Sequence, residues 1–196
     1  KKNYRTNILG NLLTKEAQIE IVVDNRFFNP SLDIYMPLRE GGVMTLKDDL
    51  ILNELTPLIV TAGPEHPVTI DLNGHNLNIG DFPGWADRKG FYGMLDGNHC
   101  TIRGLNNTKS LFGTIENGYL KNLSVYGKIS NAANEATGGI VGYCANGGVL
   151  ENLTNYVTVS GTATLGGVVG NAENQASTVI NCVNYGTINA CGRPGG

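Results

Sequence analysis

GGIVGYCANGGVLENLTNYVTVSG, residues 138–161, is followed at residues 166–192 by GGVVGNAENQASTVINCVNYGTINACG, and RPGG closes the chain at residues 193–196. Gly139, Gly167 and Gly196 head three copies of one pattern at steps of 28 and 29 residues. A less regular copy, LFGTIENGYLKNLSVYGKIS, covers residues 111–130, and its Gly113 stands 29 residues before Gly142. A fixed period of this size marks a solenoid, in which no unit buries its apolar face alone and each shelters against its neighbours. Each unit holds three short runs rich in Val, Ile, Leu and Thr, separated by Gly, Asn and Ala. Such runs read as strands separated by turns, with no segment long enough for an intervening helix.

Like residues fall at like positions along the period. Leu120, Leu150 and Val179 share one register, Leu123, Leu153 and Cys182 a second, and Ile129, Val159 and Ile188 a third. Stacked coils therefore bury like on like. Asn122, Asn152 and Asn181 occupy one position where the apolar alternation slips. A slip of this kind bends the strand, and asparagine tolerates the left-handed conformation a bend needs. Its amide also bonds to the amides above and below it in stacked ladders. The expected fold is an all-β, right-handed parallel β-helix with three strands per coil and an internal asparagine ladder at one corner.

The phrases DGNHCTIRGL, LFGTIENGYLKNL and GGIVGYCANGGVLENL resemble the GLUG-motif repeats of bacterial cell-surface proteins, found in the non-catalytic N-terminal part of immunoglobulin A peptidases. The resemblance covers residues 91–196 and implies a surface-exposed adhesive or spacer module. It carries no catalytic residues to transfer. At the other end, YRTNILGNLLT with the strand ending in VVD, within residues 4–28, resembles the closing strands of fimbrillin-like domains. That likeness implies that residues 1–36 are strands or a linker, the tail of a preceding domain, and that the β-helix occupies residues 37–196.

Whole-chain properties agree with a solenoid. The 196 residues include 27 Gly, only 16% are charged, and the net charge is −3. Low charge argues against a nucleic-acid binder, which shows a basic stripe. No apolar run approaches the roughly 20 residues that span a bilayer. Cys100, Cys144, Cys182 and Cys191 show no CxxC and no regular spacing. They read as small core residues with free thiols, the alternative being a disulfide such as Cys182 to Cys191. No cofactor and no metal site are expected.

In the earlier coils, IDLNGHNL resembles the opening coils of many right-handed β-helix proteins, several of which act on polysaccharides. Leu72 aligns with Leu95, Asn73 with Asp96, Gly74 with Gly97 and Ile79 with Ile102, a step of 23. Residues 80–90, GDFPGWADRKG, read as a loop leaving the stack and carry the single tryptophan, Trp85. An enzyme would need paired carboxylates on one exposed face. Asp71, Asp96, His75 and His99 are the candidates, but the step of 23 places Asp71 and Asp96 in different registers, which favours turn chemistry. Asp48, Asp49 and Glu54 lack the alternating oxygen ligands of a calcium loop. After Leu120 the acids are Glu135, Glu151 and Glu173 alone.

Tyr126, Tyr156 and Tyr185 recur at steps of 30 and 29. Strict alternation sends them outward as an aromatic stripe suited to sugars or protein partners, while a further corner would turn them inward as a core stack. The expectation is a non-catalytic module of the bacterial outer surface or extracellular space, for adhesion or for carbohydrate or protein binding. Trp85 and the three tyrosines are its candidate contacts, and a host or bacterial glycan or surface protein its partner. The competing class is a carbohydrate-active β-helix enzyme. RPGG stands where a further unit would open, so the solenoid is expected to continue beyond Gly196 in the native protein, and the exposed last coil to favour end-to-end self-association.

Overall fold

A computed structural model describes residues 41–52, 65–79, 91–133, 135–172 and 177–190. All belong to the larger of two units, Asp33–Gly196, the other being Lys1–Leu32. The expected N-terminal strands, Glu54, Trp85 with its loop, Cys191 and the expected continuation past Gly196 lie outside the described residues.

Every strand pairing is parallel, and no described residue is helical. The chain is a β-solenoid. One sheet runs through β1 (Gly42–Thr45), β3 (Val68–Asp71), β5 (Met94–Asn107), β7 (Tyr119–Asn131), β10 (Val149–Gly161) and β13 (Thr178–Ile180). It is extended by β2 (Leu50–Ile51), β4 (Leu77–Asn78), β14 (Val183–Asn184) and β15 (Ile188–Ala190). A second sheet stacks β6 (Phe112–Glu116), β9 (Val141–Ala145) and β12 (Val169–Ala172), and β8 (Thr137–Gly138) pairs with β11 (Leu165–Gly166).

The 29-residue period is the rise of one coil. Leu120 pairs with Leu150 and Leu150 with Val179, while Ile129 pairs with Val159 and Val159 with Ile188. Because side chains alternate across a strand, each such pairing stacks apolar residues inside and polar ones outside. Ile70, Leu95, Leu120 and Leu150 form one fully buried column, and Phe112 and Val141 begin another on the opposite sheet. Burying one such side chain contributes about 1.5–3 kcal/mol, so the columns carry the fold.

The early register differs from the expected one. Thr69 pairs with Met94, Ile70 with Leu95, Asp71 with Asp96, and Leu77 with Ile102, a step of 25 and not 23. The two alignments differ by two residues, which leaves every side chain on the same face. Apolar alternation therefore cannot tell them apart. What decides is the corner. Asp71 Oδ1 accepts the Asn73 N–H at 2.8 Å, Asp96 Oδ1 accepts the Asn98 N–H at 2.9 Å, and Asn73 and Asn98 are both left-handed at φ 48° and 46°. These are two copies of one Asp–x–Asn turn.

The later corners use one residue. Asn122, Asn152 and Asn181 have φ of 54°, 53° and 52°, the expected left-handed bends. Asn152 Nδ2 donates to Asn122 Oδ1 at 3.0 Å, and Asn122 Nδ2 to Asp96 Oδ1 at 3.1 Å. The ladder is not internal as expected: Asn152 is exposed. The chain turns around this corner with Leu123 and Leu153 swinging inward, so the bend residue itself lies on the convex side.

An asparagine ladder does lie inside the coil, three residues further on. Asn155 is 0% exposed and its Nδ2 donates to Asn184 Oδ1 at 2.8 Å. Asn155 also brackets its own strand, accepting the Val157 N–H at 3.2 Å and donating to the Val157 carbonyl at 3.3 Å. Asn184 repeats this with Gly186 at 3.1 and 3.0 Å. The space comes from the glycine pairs across the coil: a Cβ on Gly139 would stand 2.3 Å from Asn155 Oδ1, and one on Gly167 would stand 2.4 Å from Asn184 Cγ. The two repeated signatures, GG and NY, meet in the interior.

Cys100, Cys144 and Cys182 are free thiols, the first two buried and the third partly so. Burial pushes all three above the ordinary thiol range, which suits core residues and not nucleophiles.

Candidate functional site

The strand β10 alternates strictly from Leu153 to Gly161, with Leu153, Asn155, Val157 and Val159 inward. Tyr156 must then point out. Asn155 beneath it holds the backbone on both sides, so the ring projects from a fixed base. Tyr126 pairs with Tyr156, and the two rings stack at a centroid distance of 4.3 Å with planes 8° apart. Tyr185 continues the stack at 5.3 Å and 19°. Tyr156 is 37% exposed and Tyr185 68%, so the outward of the two readings holds.

A fourth member closes the stack. Arg103 places its guanidinium 4.4 Å from the Tyr126 ring centroid. It reaches that position because β5 carries an irregularity between Ile102 and Leu105, where Gly104 adopts φ 82° and one extra residue opposes the partner strand. Gly127 accepts this crossing because it has no side chain: a Cβ there would stand 2.1 Å from the Leu105 carbonyl oxygen. A cation over a tyrosine face is attracted by the ring quadrupole, contributing about 0.5–1 kcal/mol at exposed sites.

The stack sets what the surface offers. Neighbouring rings cover each other's faces, so a ligand along the ladder meets ring edges and phenol hydroxyls. Ser124 and Thr154, in register, run along one side, and Lys128 and Thr158 along the other. Desolvation by its neighbours, then the charge and hydrogen bonding of Tyr126, raise the Tyr156 phenol above the ordinary tyrosine range. Its hydroxyl is a neutral donor and acceptor near neutral pH.

The acidic candidates lie elsewhere on the outer surface. Asp71 and Asp96 are register partners, contrary to the expected separation, and Lys121 and Glu151 extend their column. Lys121 Nζ is 3.0 Å from Asp96 Oδ2, and Asp96 Oδ1 accepts from Asn98 and Asn122. Burial opposes ionisation, but these bonds from Asn98, Lys121 and Asn122 together hold the Asp96 carboxyl below the ordinary range. His75 Nδ1 stands 3.6 Å from Asp49 Oδ1, and His99 occupies a left-handed position at φ 63°. Asp49 accepts the Asn76 N–H at 2.8 Å, and that backbone bond first, with the Asn76 side chain, lowers its carboxyl. Among the described residues no three His, Cys, Asp or Glu side chains gather in a set that could hold a metal ion. Among them, too, no helix is long and apolar enough to cross a membrane.

Sequence reasoning found the tyrosines but not Arg103, Asn155, Asn184 or the partnership of these asparagines with Gly139 and Gly167. A signal for Asn155 was present. Asparagine stands directly before Tyr156 and Tyr185 at a position the alternation reserves for core, where the earlier copy has Val125. The chain matches no family model, no curated protein and no solved structure.

Proposed function

We propose that this solenoid is a non-catalytic binding module of the bacterial cell surface, serving adhesion to carbohydrate or protein through the ladder Arg103, Tyr126, Tyr156 and Tyr185. The observation that carries the reading is the outward aromatic stack on a rigid, inwardly braced strand. Preorganised rings lose little entropy on binding, and tyrosine contributes both an apolar edge and a hydroxyl. Rows of Ser and Thr hydroxyls beside it suit the polyhydroxylated surface of a glycan. The GLUG-like phrases support the cell-surface assignment. A glycan-array screen of the purified chain, followed by Tyr156→Ala on any hit, tests it. Affinity should fall about tenfold or more, as for an aromatic anchor at a contact centre, with the fold intact. Binding unchanged by Tyr156→Ala would remove the ladder from the site.

One observation favours a carbohydrate-active enzyme instead. Asp71 and Asp96 lie on paired strands, whose spacing is about 4.8 Å, within the range of carboxylate separations that glycoside hydrolysis uses. Against it, Asp96 is ion-paired and held ionised, which suits neither a proton donor nor a free nucleophile. Release of reducing ends from a polysaccharide panel, lost in Asp96→Asn, would establish the enzyme reading.

A further inference from the structure

We infer that Tyr126 and Tyr156 form a modification site, at which one-electron oxidation joins the two rings by a carbon–carbon bond and staples consecutive coils together. The inference stands on geometry alone and is independent of what the surface binds. Rings joined directly as a biaryl keep their centroids at close to the separation that Tyr126 and Tyr156 already have, 4.3 Å. Coupling therefore needs the rings to turn about their Cβ–Cγ bonds, not to approach. Both residues are fixed in register by the pairing of β7 with β10, and Tyr156 is exposed enough to be reached by an oxidant and to release a proton to water. Holding two reacting groups in contact gives the intramolecular reaction a large advantage over coupling between chains.

The remaining described tyrosines are placed differently. Tyr92 donates its hydroxyl to Glu116, Tyr143 accepts from the Ala136 N–H, and Lys121 lies over the Tyr119 ring. Tyr185 does stack on Tyr156, but at 5.3 Å and a wider angle, and is the slower partner.

The chemistry balances with hydrogen peroxide as oxidant and a haem peroxidase as catalyst. Each phenol loses one electron and its hydroxyl proton, giving two neutral tyrosyl radicals whose unpaired density lies partly on the carbons ortho to oxygen. One ortho carbon of each ring forms the new bond. Each of those carbons then gives up its hydrogen as a proton, and each oxygen is reprotonated, restoring two phenols. Two hydrogens leave the protein in total, and the peroxide becomes two waters.

The test treats the full chain, dilute, with peroxidase and peroxide. The expected product is a monomer lighter by two hydrogens, showing dityrosine fluorescence, with a linked peptide pair carrying Tyr126 and Tyr156. Tyr156→Phe and, separately, Tyr126→Phe should lower the intramolecular yield about tenfold, whereas Tyr185→Phe should leave it within about twofold. Phenylalanine keeps the ring stack, and thermal melting verifies that each variant is folded. Coupling found only between chains, or an intramolecular yield unchanged by both Tyr126→Phe and Tyr156→Phe, overturns the inference.

Discussion

Between Gly42 and Asn107 the coils turn on aspartate; from Tyr119 onward they turn on asparagine. In the first region Asp71 and Asp96 each cap a backbone amide two residues ahead, so each corner is closed within its own coil. In the second, a single left-handed residue makes the bend, and its side chain reaches to the next coil. The interiors differ too. The early coils are filled by Ile70, Leu72, Leu77 and Ile79, whereas the later ones place Asn155 at the centre, against Gly139. Local closure makes the early corners independent. Closure between coils makes the later ones depend on their neighbours, as expected of a stack whose stability is a sum of repeat and interface contributions.

The largest effect should follow from Asn155→Leu. Leucine cannot satisfy the Val157 N–H and carbonyl or Asn184, and it must fit where Gly139 leaves room only for a flat amide. Stranded polar groups and overpacking together should lower stability by about 3–5 kcal/mol, read from chemical denaturation. The matching change in the early region, Asp71→Ala, removes one local cap and should cost about 1 kcal/mol, the scale of one net hydrogen bond. Equal losses would dissolve the contrast between the regions.

Next in size is Gly139→Ala, whose new methyl meets Asn155 Oδ1 and the Gly167 carbonyl. Its cost should be about 1–3 kcal/mol. In an Asn155→Ala background the side-chain clash is gone, so a double-mutant cycle should give a coupling of about 0.5 kcal/mol or more. Additive losses would show that the glycine pair and the buried asparagine do not act together.

Asn152→Leu should cost less, about 1–2 kcal/mol, because the ladder is exposed and what remains is the strain of a branched residue at φ 53°. Asn152→Gly should be near neutral in melting temperature, since glycine takes that conformation freely. A loss in Asn152→Leu as large as in Asn155→Leu would return the ladder to the interior.

The smallest effect is a pH dependence at the junction of the two regions. The folded-state Asp96 carboxyl lies below its ordinary range, so its stabilising contribution is complete above that range and is lost as pH falls through the lowered value. Melting temperature should therefore decline on acidification more steeply in the parent than in Asp96→Asn. Parallel declines would show that Lys121, Asn98 and Asn122 do not favour the ionised form.

The repeat, the parallel strands, the buried columns and the left-handed asparagines at the later corners follow from the sequence by itself. Each depends on local rules that the chain states over and over: a side-chain period of two, a coil period near 29, and a residue that tolerates positive φ at each slip. The tertiary structure alone decided the rest. A two-residue shift at Asp71 and Asp96 keeps every apolar side chain on its face, so only the closed turn reveals the true partners. The side on which an asparagine lies depends on the path of the chain after the bend and on the room left across the coil. Asn152 therefore came to stand outside and Asn155 inside, against a glycine 16 residues earlier in sequence. The direction of the tyrosines, and the arrival of Arg103 over the first of them, were settled in the same way, by the packing of one coil on the next.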